Sequence, residues 1–274
     1  MQDRLRAARQ AAAQLAERTQ RFRPGGSSDD ETTGDDEADE ELPALEAEPD
    51  HEDLARLDDE DAAPIAIDAD RSLFELLRQI DPTPPVPLTA VHEVGFVSLL
   101  RRLGEVADTG LLEDSRARRI LDLVGDRLSI SAGPDGITVR SLVRRRHTPW
   151  SKVQRLTLGG RYDLLRGDGL AKLVEDVKSR MIPIPIPGLS WLLRRVVGGI
   201  ANWLEQKFFT EDQIEALRGG VGNAVLGIQR RGFDIELSGP LLLVSILAPG
   251  LSEAVEQEAR ARGIEIEVSD GGPA

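Results

Sequence analysis

Apolar and polar positions alternate most clearly between Arg127 and Leu158. Leu128-Ser-Ile-Ser131 reads as a strand, Gly133-Pro-Asp-Gly136 as a turn, and Ile137 to Val143 as the returning strand. Arg144 to His147 and Thr148 to Val153 occupy the second turn, and a third strand runs from Gln154 to Leu158. Upstream, the apolar period lengthens to that of a helix. Leu73, Phe74, Leu76, Leu77 and Ile80 recur at helical spacing behind Ser72, a good N-cap. The Pro82 to Pro87 run stops that helix. Thr89 then opens a longer one to about Ala107, with Val91, Val94, Val97, Leu99, Leu100 and Leu103 to bury, and Glu113 to Val124 forms a third.

Downstream of Leu158 the strand pattern breaks. Gly159, Gly160, Gly167 and Gly169 punctuate a loop, and three helical stretches follow. Leu170 to Met181 is amphipathic, and Leu189 to Phe208 carries a broad face of Leu192, Leu193, Val196, Val197, Ile200, Trp203 and Leu204. Thr210 to Gln213 has capping-box spacing, and Gly219-Gly220 ends the third stretch. Strands resume at Phe233 to Leu237 and, after a Ser-Gly-Pro turn, at Leu241 to Leu247. Ser252 to Arg262 is a last helix ended by Gly263, before a strand from Ile264 to Val268.

The Gly-turned hairpin, the Pro149-Trp150-Ser151 dip and the rising third strand resemble the first half of a bacterial pleckstrin-homology domain. The resemblance implies seven strands in two sheets with one closing helix, and a binding or scaffolding module. The pattern supplies three strands before the helical stretches and two or three after. The strand–helix–strand order from Leu241 to Val268 also fits a small α/β unit. The expected class is α+β: a pleckstrin-like antiparallel strand domain with a helical insertion, preceded by a small helical subdomain and a disordered acidic arm. The corresponding boundaries are a short Ala/Arg-rich helix in 1–28, an acidic linker in 29–70, the helical subdomain in 71–125, the strand domain in 126–268 with its insertion at 165–220, and a tail at 269–274. Trp150 is expected to be at least partly buried at the mouth of the strand domain, with Leu128, Ile130, Val139 and Val153 among the core of that domain.

Charge changes the picture in one place. Between Asp29 and Asp70 stand twenty acidic residues against the single Arg56, whereas residues 1–28 are basic and the chain from Arg71 onward is nearly neutral. So polar a run has little to bury against a backbone ordering cost of roughly 1–2 kcal/mol per residue, and reads as disordered. Two roles stay open for it: a soluble spacer, or a fold-back element competing for a basic surface downstream. Cysteine is absent, which excludes disulfides, thiolate metal sites and thiol nucleophiles. Residues 1–23 lack the apolar core of a signal peptide, so a cytoplasmic location is expected, with membrane association open.

Catalytic chemistry finds no foothold. His51, His92 and His147 have no metal-site spacing, and the chain lacks a nucleophile elbow, a P-loop and a strand-placed dinucleotide fingerprint. No cofactor is implied. The alternative, an enzyme of unrecognised α+β fold, needs polar residues brought together by folding. The candidate surface for an anionic ligand or a partner is Arg140, Arg144, Arg145, Arg146, Lys152 and Arg155, within sixteen residues that hold no Asp or Glu. These arginines could instead pair with acidic residues of neighbouring segments. A protein partner fits the resemblance, and an anionic membrane fits the charge, at about 1 kcal/mol per basic residue. Nucleic acid is disfavoured because tyrosine and phenylalanine, which would stack on bases, are scarce across the chain. A second candidate is an interfacial helix carrying Trp191, Arg194, Arg195 and Trp203, which suits either a membrane surface or the core. The pattern fixes no oligomeric state.

Overall fold

The computed structural model describes residues 40–41, 51–57, 62–67, 72–81, 88–166, 186–207, 210–231 and 233–269. All of them belong to one compact unit, Ala38–Ala274. The helices expected at 3–21 and Leu170–Met181, and most of the Ile182–Pro187 run, lie outside the described residues.

The first sheet has the order β1-β5-β4-β3-β2 and is antiparallel throughout. Its strands are β1 (Glu40–Glu41), β2 (His92–Gly95), β3 (Ser129–Ala132), β4 (Gly136–Arg140) and β5 (Arg144–Pro149). The expected Gly133 to Gly136 turn forms, with the Gly133 N–H donating to the Gly136 carbonyl at 3.0 Å. Gly136 is required there, because a Cβ would stand 2.3 Å from the Thr148 carbonyl oxygen of β5. Trp150 follows β5 directly. It is 3% exposed, and its indole N–H donates to the Gly133 carbonyl at 2.8 Å, locking the strand exit onto the hairpin turn. Leu128, Ile130, Val139 and Val153 are buried in the same core, as expected.

The second sheet has the order β8-β7-β6-β9, with β6 (Val153–Gly160), β7 (Asn223–Arg230), β8 (Phe233–Glu236) and β9 (Glu265–Ser269). Only β9 runs parallel to its neighbour. Strands β2 to β5 lie in chain order across the first sheet, joined by β1 at the outer side of β5, and the second sheet sets β6 between β7 and β9. Helices α8 (Gly239–Leu247) and α9 (Pro249–Ala261) pack on β7 and β3 and close the core between the sheets. Helices α5 (Arg161–Leu165), α6 (Leu189–Gln206) and α7 (Glu211–Val221) lie between β6 and β7 in the chain.

Four expectations need correction. His92 to Gly95 is a strand, and the helix starts only at Phe96 (α3, Phe96–Val106); the Val91, Val94, Val97 spacing mimicked a helix, yet Val91 is 68% exposed. Because β2 joins the sheet, and α2 (Leu73–Ile80), α3 and α4 (Ser115–Val124) share the single core, 71–125 is not a separate subdomain. Leu241 to Leu247 is helical rather than a strand: an unbroken apolar run of this length has no period to tell a buried helix from a buried strand. The small α/β unit thereby loses its first strand.

The acidic linker is also partly built into the body. Helix α1 (His51–Leu57) buries Leu54 and Leu57, and Ile65 lies on α6 with its N–H bonded to the Arg195 carbonyl at 3.1 Å. Gly199 makes that approach possible, since a Cβ would stand 2.3 Å from Ile65 Cγ1. Leu54, Leu57 and Ile65 dock the described parts of the run. Ser72 caps its helix as expected and forms a full capping box with Glu75, and the expected Thr210 capping box forms with Gln213.

Candidate functional site

The basic residues read from the sequence separate into distinct environments. Arg144, Arg145 and Arg146 sit in β5 rather than in a turn; the turn is Ser141 to Val143, closed by the Ser141 N–H to the Arg144 carbonyl at 2.7 Å. Strand alternation then sends Arg144 and Arg146 to one face and Arg145 to the other. Arg145 stands directly opposite Arg140 of β4, a like-charge cross-strand pair that is unfavourable unless an anion offsets it. His147, on the same face, lies 3.0 Å from the Thr138 hydroxyl through Nδ1.

Arg146 reaches across to the second sheet, with its guanidinium 5.0 Å from the Phe233 ring centre. Arg230 covers the same ring at 3.6 Å. A half-buried aromatic at the start of β8 is thus reached by Arg146 from β5 and by Arg230 from β7, with exposed Arg231 next along the chain. Arg230 and Arg231 were missed from the sequence. Their signal was a second basic pair before Gly232, but nothing local tied it to β5. Lys152 is exposed just before Val153, whose register partner is Arg230, so it belongs to this end of the second sheet.

Arg155 does not join the basic surface. It pairs with Glu267 at 2.9 Å and Glu265 at 3.1 Å on β9, and hydrogen bonding to Glu267, then attraction from Glu265, raises its pKa. It lines a groove of about 410 Å³ on the outer face of the second sheet, with Asp234, Glu236 and Glu267 supplying acid walls.

Residues 127–174 match the family model of the bacterial PH domain. The match spans the hairpin, the Pro-Trp-Ser dip and β6 that carry the resemblance, so the PH segment includes β5 and its arginines. No curated protein and no solved structure matches the chain.

The Trp191 to Trp203 helix, α6, is a core helix. Trp191 is 5% and Trp203 2% exposed, Arg195 hydrogen-bonds to Asp114 and to the Ala63 carbonyl at 3.0 Å, and its guanidinium lies 4.8 Å from the Trp191 ring centre. The face read as interfacial is covered, and Arg194 is half-buried beside it. Burial would raise the Asp114 carboxyl, but hydrogen bonds from Arg195 and from the Arg116 and Ala117 N–H groups outweigh it and hold the pKa below its ordinary value. Among the described residues no single helix is long and apolar enough to cross a membrane. Helices α8 and α9 pass that test only as a pair bent by 87°.

The most perturbed charge is elsewhere. Arg161 of α5 is wholly buried beyond the PH hairpin, and burial lowers its pKa to about 10 against the pull of Glu253 and Asp81. Its guanidinium donates to the Ile246 carbonyl at 2.7 Å, the Ser245 carbonyl at 3.4 Å and the Val221 carbonyl, which are helix C-terminal acceptors of α8 and α7. A cation at two helix C-termini is favourable to both dipoles. The buried Asp81 carboxylate accepts from the Leu251 N–H at 3.0 Å near the start of α9, and Arg78 pairs with Glu253 at 3.1 Å. These groups tie five helices together. Among the described residues, no cluster of His, Asp or Glu has metal-site geometry.

Proposed function

We propose that the protein is a non-enzymatic adaptor whose PH-like domain binds a protein partner through the basic β5 edge. The observation that carries this reading is the concentration of Arg144, Arg145 and Arg146 on β5 of the PH segment, joined at Phe233 by Arg230. Three arginines on one short strand, with a fourth opposite, suit an extended chain of carboxylates better than a point anion. Phe233 between Arg146 and Arg230 adds a flat apolar contact that a peptide can use.

The same charge could hold the domain at an anionic bilayer, at about 1 kcal/mol per basic residue near the surface. The covered Trp191 and Trp203 leave that reading without an inserting helix, which favours the protein partner. Titrating full-length protein with poly-glutamate, and sedimenting it with phosphatidylserine vesicles, separates the two. Peptide binding that weakens with salt and disappears in Arg144→Glu/Arg145→Glu is expected. Arginine-dependent vesicle binding with no response to the peptide would replace the adaptor with a peripheral membrane protein.

A further inference from the structure

The β5 edge is paired on its outer side by a segment of the chain itself. Strand β1 runs antiparallel to it, with Glu40 opposite Arg145 and Glu41 opposite Arg144. Sheet register thus sets two acidic positions against two basic ones. The sequence around β1 is the densest acid in the protein, with six Asp or Glu among the seven residues 35–41.

This pairing says what the edge recognises. A sheet edge offers a row of backbone donors and acceptors that any extended chain can satisfy, and side-chain chemistry then selects which chain. On β5 the selecting groups are arginines. Among the described residues, Glu40 and Glu41 pair with Arg145 and Arg144 of β5, which is six residues long. Covalent connection gives the acidic segment a high local concentration at this edge, of order mM for short flexible links. An acidic strand supplied by a partner and running the length of β5 would also meet Arg146.

Resting on the reading of β5 as the partner surface, we infer that the ligand is an extended acidic peptide segment that adds to β5 as a strand, and that Glu40–Glu41 occupies the edge in cis as its competitor. Binding then requires the acidic segment to leave, and any change that weakens β1 raises affinity for the partner.

The test uses the full chain and a fluorescent synthetic peptide of residues 35–45, read by anisotropy at low and moderate salt. Glu40→Pro/Glu41→Pro removes strand pairing, and equal melting temperatures check that the fold is kept. The opened variant is expected to bind the peptide at least tenfold tighter than the parent, and Arg144→Glu/Arg145→Glu to lose it. A peptide of equal charge with prolines at alternate positions, unable to form a strand, is expected to bind at least tenfold more weakly. Equal affinity of parent and opened variant would overturn the cis competition. Equal affinity for the proline-containing peptide would overturn strand addition. Poly-glutamate binding that still depends on Arg144 and Arg145 would in either case leave the partner surface standing; its loss in the unmodified protein would remove both.

Discussion

Arg161 and the arginines of β5 carry the same group in opposite settings. Arg161 is enclosed and gives its N–H groups to three backbone carbonyls, so its charge serves the fold. Arg144 and Arg145 are exposed on a strand edge, where the backbone contact is with two residues of an acidic segment. Burial makes an arginine structural because the enclosed cation must be satisfied on all sides by the protein itself. Exposure at a strand leaves the charged group within reach of solvent. A pKa shift alone would have pointed to Arg161 as the site; the proposed site is β5 instead.

The largest effect should come from the enclosed side. Arg161→Ala leaves helix-end carbonyls without donors beside Glu253 and Asp81, and is expected to cost about 3–5 kcal/mol in denaturant unfolding. Arg161→Lys should recover only part, since an ammonium lacks the planar fork. Trp150→Ala is expected to cost a similar amount, about 3–5 kcal/mol, through the emptied core site and the lost bond to Gly133. A variant that melts like the parent would show that Trp150 does not hold the hairpin.

Gly199→Ala should be smaller, about 1–3 kcal/mol, because the new methyl drives Ile65 off α6. Limited proteolysis of the acidic segment should accelerate in the same variant. Asp114→Ala removes the cap of α4 and the Arg195 contact, at about 1–2 kcal/mol. Its lowered pKa sets the sign of the pH effect. The contribution is full above the unfolded carboxyl value and is lost as pH falls through the lower folded value, so stability curves of parent and Asp114→Asn should converge in acid. The smallest stability change belongs to the edge: Arg144→Gln/Arg145→Gln should stay within about 0.5 kcal/mol of the parent while weakening peptide binding.

What was legible in the sequence follows the same division. The Gly133 to Gly136 hairpin, β6, β8 and the capped helices announce themselves by local chemistry, since turn glycines, alternation and caps act within a few residues. Strand β5 did not, because Arg-Arg-Arg-His carries no apolar alternation; its pairing with β4 is what makes it a strand. Strand β7 was also missed, as its irregular burial follows register shifts against β6 rather than a period of two. The candidate arginines were legible as a cluster. That Arg155 is taken up by β9, and that Arg146 and Arg230 share Phe233, depends on contacts between residues far apart in the chain. The pairing of acidic β1 with basic β5 lay within reach of charge counting alone, though its register did not.

Hydrogen exchange at β5 tests the partner edge most directly. In Glu40→Pro/Glu41→Pro, the amides of residues 144–147 should exchange faster than in the parent, and an excess of the peptide of residues 35–45 should slow them again. The peptide should leave the β9 groove and the Arg161 helices unchanged. Slowing confined to any other surface, or no slowing at saturating peptide, would contradict strand addition at β5.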